Sequence, residues 1–370
     1  MKITDVQIMV YVENKQVPVW NVEIGPAASA EREFIVCKIL TDEGVEGVSG
    51  SYPFGVDSKA ITHSIIANFK HRMIGEDPLN HEKIWQKLWK ADRLAYTSQF
   101  ALGIVDCALW DLKGKVANMP VYRLLGGYRN KIPAYASSQS MPSVGAYIEE
   151  VQRCLDLGYP AYKLHPVGDA KLDAEVSIAV RKAVGDDVDL MLDGVAAYDY
   201  IEALKLGRTL EELNFLWYEE PLRDTDLYSY RKLTEALDIP IAGTEFIGGS
   251  VYAIPEYIQT KAVDIVRADP AFKGGITGVM KIAHLAEAYG MRLENHVTAS
   301  EWQNMANLHI QCAIKNTTYF EILVPEEDVR TYALQSLDID KEGFVTVPEA
   351  PGLGYEIDWD FINKRILYKL

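Results

Sequence analysis

Long hydrophobic runs are absent from this 370-residue chain. No stretch approaches the roughly 18 uninterrupted apolar residues of a membrane span. The start, Met1-Lys2-Ile3-Thr4-Asp5-Val6, has no apolar signal core, so no membrane partner and a cytoplasmic location are expected. Cysteine is scarce: Cys37, Cys107, Cys154 and Cys312 lie far apart with no CxxC pair. That argues against a disulfide framework or a thiolate zinc site, and fits buried thiols in a reducing compartment. Positive charge is in deficit, with 37 Lys and Arg against 53 Asp and Glu and a net charge of −16. A nucleic-acid partner wants a basic face and is not expected. An anionic substrate stays open, because a bound divalent cation can reverse the local field.

What is present is ordinary in amount and regular in order. The hydrophobic share is 48% and the charged share 24%, and the length exceeds what one core usually holds, so two domains are expected. Val6, Ile8, Val10 and Val12 fall at every second position, and residues 33–40 form a second apolar run before Asp42-Glu43-Gly44, which predicts two strands. From His63 to Ala117 apolar residues recur three and four apart, and Gly126-Gly127 breaks the chain. Residues 1–126 therefore read as an α+β domain of their own, the N-terminal one. Beyond it, apolar runs at 132–136, 161–164, 188–192, 216–218, 239–242, 263–266, 291–293 and 318–320 alternate with helical stretches. This spacing predicts an α/β fold with a parallel sheet closed into a modified TIM-type barrel over residues 127–336. It is of the (β/α)7β kind, since no long helix follows the last run. Residues 337–370, with Pro351-Gly352-Leu353-Gly354, lie outside the repeat and are expected to pack back on the first domain.

The acids fall at the ends of these runs. Asp193, Glu219 and Glu245 stand 26 residues apart, each closing a strand candidate. In a barrel that spacing marks one place on three adjacent strands, at the C-terminal rim where barrel enzymes carry their sites. Three carboxylates gathered there need a cation, and oxygen-only ligation selects a hard ion, so they are the candidate ligands of Mg²⁺. On the preceding strand Lys163 and His165 are two apart and so point to one face. On the following strands Asp269 and His296 lie 27 residues apart, again one barrel unit. An Asp beside a His fixes its tautomer and raises its basicity, which suits a general base. Glu321, 25 residues further on, is placed to hydrogen-bond a substrate carboxylate oxygen opposite the metal. Taken singly, each of these is a solvated acid or a structural histidine; their shared register favours a site. Among aromatic residues Trp20, Tyr52, Phe54 and Tyr96 are candidates to line a pocket, with core packing the simpler reading of each alone. Trp20, Tyr52 and Tyr96 form the expected substrate-binding set. Gly274-Gly275-Ile276-Thr277-Gly278 looks like a phosphate cradle but lacks the Lys-Ser/Thr of a P-loop, and reads as a helix start.

Together with Ala108-Leu109-Trp110-Asp111-Leu112-Lys113-Gly114-Lys115, Glu219-Glu220-Pro221, Gly274-Gly275-Ile276-Thr277 and Gly352-Leu353-Gly354, this arrangement resembles the enolase superfamily, in its mandelate racemase branch. The resemblance implies a modified barrel capped by a domain built from both chain ends. It implies Asp193, Glu219 and Glu245 as metal ligands, Asp269 and His296 as the base dyad, and Glu321 as the acid of the last strand. Two positions depart from the branch: His165 stands where a second lysine of Lys-x-Lys is usual, and Val195 where an Asn is common. A histidine titrating near neutrality suits a leaving-group acid. The expected activity is Mg²⁺-dependent removal of the proton next to a carboxylate on a small anionic hydroxy acid. Dehydration of an aldonate or aldarate to a 2-keto-3-deoxy acid leads. Racemisation or epimerisation of a 2-hydroxy acid, and cycloisomerisation of a sugar lactone or anhydro-sugar acid, are the alternatives. Specificity is expected from loops 20–24 and 50–54, and the assembly is expected to be a homo-oligomer.

Overall fold

The computed structural model describes residues 1–15, 20, 31–53 and 56–370. β1 (Ile3–Asn14), β2 (Glu31–Thr41) and β3 (Glu46–Ser51) run antiparallel, side by side in that order. The first two are the strands expected from alternation and apolar content. β3 is an addition with no strand-like composition, being Glu-Gly-Val-Ser-Gly-Ser. Its glycines explain why it is there. A Cβ on Gly47 would stand 2.1 Å from the Ala108 carbonyl oxygen, and one on Gly50 would stand 2.7 Å from the Trp302 ring. The strand forms because its small residues let helix Gln99–Ala117 lie flat against it. That helix is apolar on every side, as a helix between two layers must be. Phe100 to Leu112 are buried without interruption.

The second sheet is parallel and nearly closed. It comprises β4 (Lys131–Ser137), β5 (Ala161–Leu164), β6 (Asp189–Asp193), β7 (Trp217–Glu219), β8 (Ile241–Gly243), β9 (Ile265–Ala268), β10 (Arg292–Asn295) and β11 (Phe320–Leu323). Each overlaps one of the eight apolar runs. The order β10-β9-β8-β7-β6-β5-β4-β11 leaves one seam, between β10 and β11, without ladder bonds among the described residues. A helix follows each strand except the last, which precedes only the single turn Glu326–Val329. The architecture is the expected (β/α)7β barrel with an α+β cap. Residues 337–370 do not all go to the cap. β12 (Phe344–Thr346) pairs with β4 of the barrel, and only β13 (Ile366–Lys369) completes the cap sheet by pairing with β1.

Buried carboxylates bolt cap to barrel. Asp106, within the long cap helix, accepts from the Thr277 backbone N–H at 2.8 Å and from its hydroxyl at 2.7 Å. Those groups open the barrel helix Gly275–Ala288, so Asp106 satisfies donors that the helix cannot satisfy itself. The glycine-rich loop that looks like a phosphate cradle thus holds a carboxylate of the same chain. Asp111, one and a half turns on, accepts from Val48 N–H at 2.8 Å and Leu353 N–H at 2.9 Å, tying β3 and the C-terminal loop to the same helix. Burial pushes the Asp106 carboxyl up to about 7, despite both bonds from Thr277.

Gly275 has φ +81°, and a Cβ there would lie 2.3 Å from the Asp106 carboxylate. Gly275→Ala should therefore lower the unfolding free energy by about 3 kcal/mol, from overpacking plus left-handed strain. Denaturant unfolding measures this; an unchanged midpoint would contradict the docking described.

Candidate active site

Inward-facing residues of the barrel stack in layers, as side chains two apart on each strand require. Tyr135, Ala161, Met191, Trp217, Ala242 and Ile265 form a buried apolar floor. Two residues further along β5, β6, β7, β9 and β11, the floor gives way to charge: Lys163, Asp193, Glu219, Arg267 and Glu321, all buried. Lys163 Nζ lies 2.7 Å from Glu219 Oε1, 2.9 Å from Glu321 Oε1 and 3.3 Å from Asp193 Oδ2. Arg267 Nη2 lies 2.7 Å from Glu219 Oε1, 3.1 Å from Glu321 Oε2 and 3.5 Å from Glu245 Oε2. Its Nη1 donates to the carbonyls of Asn295 and Glu294 at 3.1 and 3.3 Å. Trp217 Nε1 donates to the other Glu219 oxygen at 2.9 Å.

Two protein cations already share the layer of the three acids, yet burial still raises the Glu219 and Glu245 carboxyls above their ordinary values. Among the described residues the three acids are not gathered around one point. They repel one another, and each turns to a positive partner. Burial alone would lower the Lys163 pKa; Glu219 and Glu321 outweigh it and hold the ammonium well above its ordinary value. Glu245 is held less closely, by Arg267 at 3.5 Å and by the His296 imidazole at 3.2 Å. Burial pushes it up to about 8, with Glu219 and Asp193 adding to the rise against the pull of His296 and Arg267.

Across the mouth stands the Asp–His pair. His296 Nδ1 is 3.0 Å from Asp269 Oδ2, and its Nε2 is 3.2 Å from Glu245 Oε1. Asp269 also accepts from Ala271 N–H at 2.6 Å and Asn307 Nδ2 at 3.3 Å, which fixes the carboxylate. A carboxylate only accepts, so Nδ1 turns a proton toward Asp269, and Nε2 is the nitrogen on the Glu245 side. Burial pulls the imidazole down, but Glu245 and Asp269 outweigh it and raise His296 to about 9. On the β5 side His165 Nε2 lies 3.2 Å from Asp193 Oδ2, and the Trp20 ring sits 5.0 Å from the imidazole, centroid to centroid. The strand ends around these groups are strained. Val195, Ala196, Glu220 and Thr244 all adopt positive φ, and Val195 is β-branched. Glu219 and Glu220 carbonyls, accepting from Gly194 and Ala196 N–H at 2.7 Å, lock the β6 turn onto β7.

A cavity of about 390 Å³ opens over this layer, lined by His165, Asp193, Glu245, His296 and Glu321 below and by Trp20 and others above. Lys163, Glu219 and Asp269 lie beneath the lining. Two of the aromatic candidates do not reach it. Tyr96 ends helix His81–Ala95 in the left-handed conformation with its side chain 90% exposed. Tyr52 is buried, its ring centroid 4.5 Å from the Arg32 guanidinium. Phe54 and residues 21–24 of the expected specificity loops lie outside the described residues. The sequence reading also passed over Arg267, Glu220, Asp224, Phe246, Val297 and Leu323. Arg267 had a signal: an arginine inside Ile265-Val266-Arg267-Ala268, two before Asp269, must point where Asp269 points. Glu220, whose carboxylate accepts from Glu245 N–H at 3.0 Å, had none beyond its place in Glu219-Glu220-Pro221.

A barrel whose successive strands end in a lysine, three carboxylates, an Asp–His pair and a last glutamate, under a two-ended α+β cap, defines a class. Residues 7–126 match the mandelate racemase / muconate lactonizing enzyme N-terminal domain, and residues 146–361 match the enolase C-terminal domain-like family. The chain belongs to this family, in the mandelate racemase branch of the enolase superfamily. It is 33% identical over 334 residues to the arabinonate dehydratase of Saccharolobus solfataricus, with 88% of each chain covered. It is 31% identical to the D-galactarolactone cycloisomerase of Agrobacterium fabrum, over 81% of this chain and 84% of that one. Among solved structures it is similar to the D-glucarate dehydratase of Agrobacterium tumefaciens complexed with magnesium, with a TM-score of 0.89, 37% identity and full coverage of both chains.

Arg267→Met should strand the buried charges of Glu219 and Glu321 and cost about 3 kcal/mol or more of unfolding free energy. Denaturant titration reads it. Wild-type stability in this variant would mean that Lys163 alone holds the layer together.

Proposed function

We propose that this chain is a Mg²⁺-dependent dehydratase that converts a sugar acid to its 2-keto-3-deoxy acid. The carrying observation is the Asp269–His296 pair, whose imidazole, with Nε2 3.2 Å from Glu245 Oε1, faces the same cavity as Asp193, Glu245, Glu321 and, from across the mouth, His165. The donor set fits the ion. Asp193 and Glu219 are register partners on β6 and β7, Glu245 follows β8, and all three offer only oxygen. Five carboxylates (Asp193, Glu219, Glu245, Asp269 and Glu321) face two permanent cations, a surplus that a divalent ion would offset. When bound, Mg²⁺ supplies charge stabilisation to the substrate carboxylate as its α-proton leaves.

The rest is work for the chain's own groups. Lys163, held protonated by Glu219 and Glu321, is a donor to a carboxylate oxygen and not a base. His296 takes the α-proton on Nε2, with Asp269 holding the ring and its tautomer. Glu245 is the strongest attraction keeping that imidazole protonated, so neutralising Glu245 returns His296 toward its basic form. Electrons from the broken C–H bond then expel the β-hydroxyl, which leaves as water after accepting a proton. His296 can return its proton for a syn elimination, and His165 can give one for an anti elimination. The enol formed takes a proton at C3 and becomes the 2-keto-3-deoxy acid. A racemase or epimerase is the second reading, favoured by the same two imidazoles lining one cavity from β5 and β10.

Exhaustive chelation should abolish turnover and Mg²⁺ should restore it, while Glu219→Gln should weaken Mg²⁺ binding measured by calorimetry. A fully active Glu219→Gln protein that retains no metal would sink the assignment. His296→Asn should lose about a thousandfold in kcat, together with α-proton exchange in D₂O. Exchange at the wild-type rate would place the base elsewhere. With the wild-type enzyme in D₂O, a 2-keto-3-deoxy acid carrying deuterium at C3 is expected by NMR. Recovery of a deuterated, epimerised hydroxy acid with no keto product would turn the assignment to the racemase.

A further inference from the structure

Building on the reading of an acid held by its carboxylate at the charged layer, the upper walls of the cavity say what the far end of that acid can be. Those walls are Trp20, Val195, Ala196, Phe246, Val297 and Leu323, and the polar groups among them are the carboxyls of Glu220 and Asp224. Among the described residues no Lys or Arg lines the cavity. The cations beneath it are committed: Lys163 and Arg267 are fully buried, each against several carboxylates. Lys273 is buried too and donates to the Ile247 carbonyl at 2.9 Å. Arg223, next in sequence to Asp224, is exposed and outside the lining. The two imidazoles stand at the reacting end, against Asp193 and against Asp269 and Glu245. In sequence, residues 16–19, 21–30, 54 and 55 contain no Lys, Arg or His, and Arg32, beside the Tyr52 ring, is committed to the Asp328 and Val329 carbonyls.

A second carboxylate at the far end would be desolvated against apolar surface with no cation among the described residues to pair it, and would face two more carboxyl groups. We infer that the enzyme selects sugar mono-acids with an uncharged far end and rejects the corresponding diacids. The relatives leave this open, since arabinonate is a mono-acid and glucarate a diacid.

The test uses the Mg²⁺-loaded enzyme and matched pairs: arabinonate with arabinarate, gluconate with glucarate, galactonate with galactarate. Formation of 2-keto acid should favour the mono-acid of the productive pair by about 100-fold in kcat/KM. Phe246→Arg puts a cation at the cavity mouth and should narrow that preference about tenfold. A diacid turned over as well as its mono-acid, or a preference unmoved by the new arginine, overturns the inference. If no acid of either kind yields a keto acid, the dehydratase reading fails on its own. Calorimetry on the same pairs then judges the charge argument: tighter binding of the mono-acid sustains it, and tighter binding of the diacid overturns it.

Discussion

Everything at the mouth of this barrel depends on a buried layer of opposed charges resting on an apolar floor. Lys163 and Arg267 sit among Asp193, Glu219, Glu245 and Glu321, with the Lys163 ammonium 5.5 Å from the centroid of the Tyr135 ring in the floor. Burying such groups costs several kcal/mol each, and their mutual attraction offsets this only when every lone pair and proton is matched. The matching is close: Glu219 alone receives Lys163, Arg267 and Trp217. Its consequence is rigidity. The groups that face the cavity are held by partners that are themselves held.

That layer is useful only if something closes the barrel mouth, and the cap does so through a few buried polar contacts. Asp106 caps a barrel helix, Asp111 gathers β3 and the C-terminal loop, and Arg32 donates to the Asp328 and Val329 carbonyls beyond β11. Each contact satisfies backbone groups that would otherwise be stranded in a dry interface, so a misplaced cap carries a direct penalty. The cap helix can be apolar all round because the barrel, the cap sheet and these carboxylates leave none of its faces in water. The same docking brings Trp20 over His165, so that the cavity wall includes a residue of the N-terminal part of the chain as well as the barrel rim.

Strand periodicity, the 25-to-27-residue spacing of acids and bases, and the change to helical period were all legible in the sequence, because they depend only on neighbours along the chain. They sufficed to name the barrel, its eight strands and the residues at their rims. β3 was not legible, since its glycines signal close approach to a helix more than 50 residues away. Nor were the places of Tyr96 and Tyr52, because an aromatic residue in a loop reads alike whether it faces solvent, core or ligand. Arg267 stood in plain view inside an apolar strand, yet only its three carboxylate neighbours give it meaning.

By itself, then, the order of residues determined which strand each acid and base would end, because register in a parallel barrel follows from unit length. Only the tertiary structure decided what those groups touch. Lys163 meets Glu321 across 158 positions of sequence, and His296 meets Glu245 across 51. The partners that set charge state and orientation come from distant strands, and the walls that choose a substrate come from loops of both domains. Coulomb forces and desolvation act on distance in space, and a local pattern carries no measure of that.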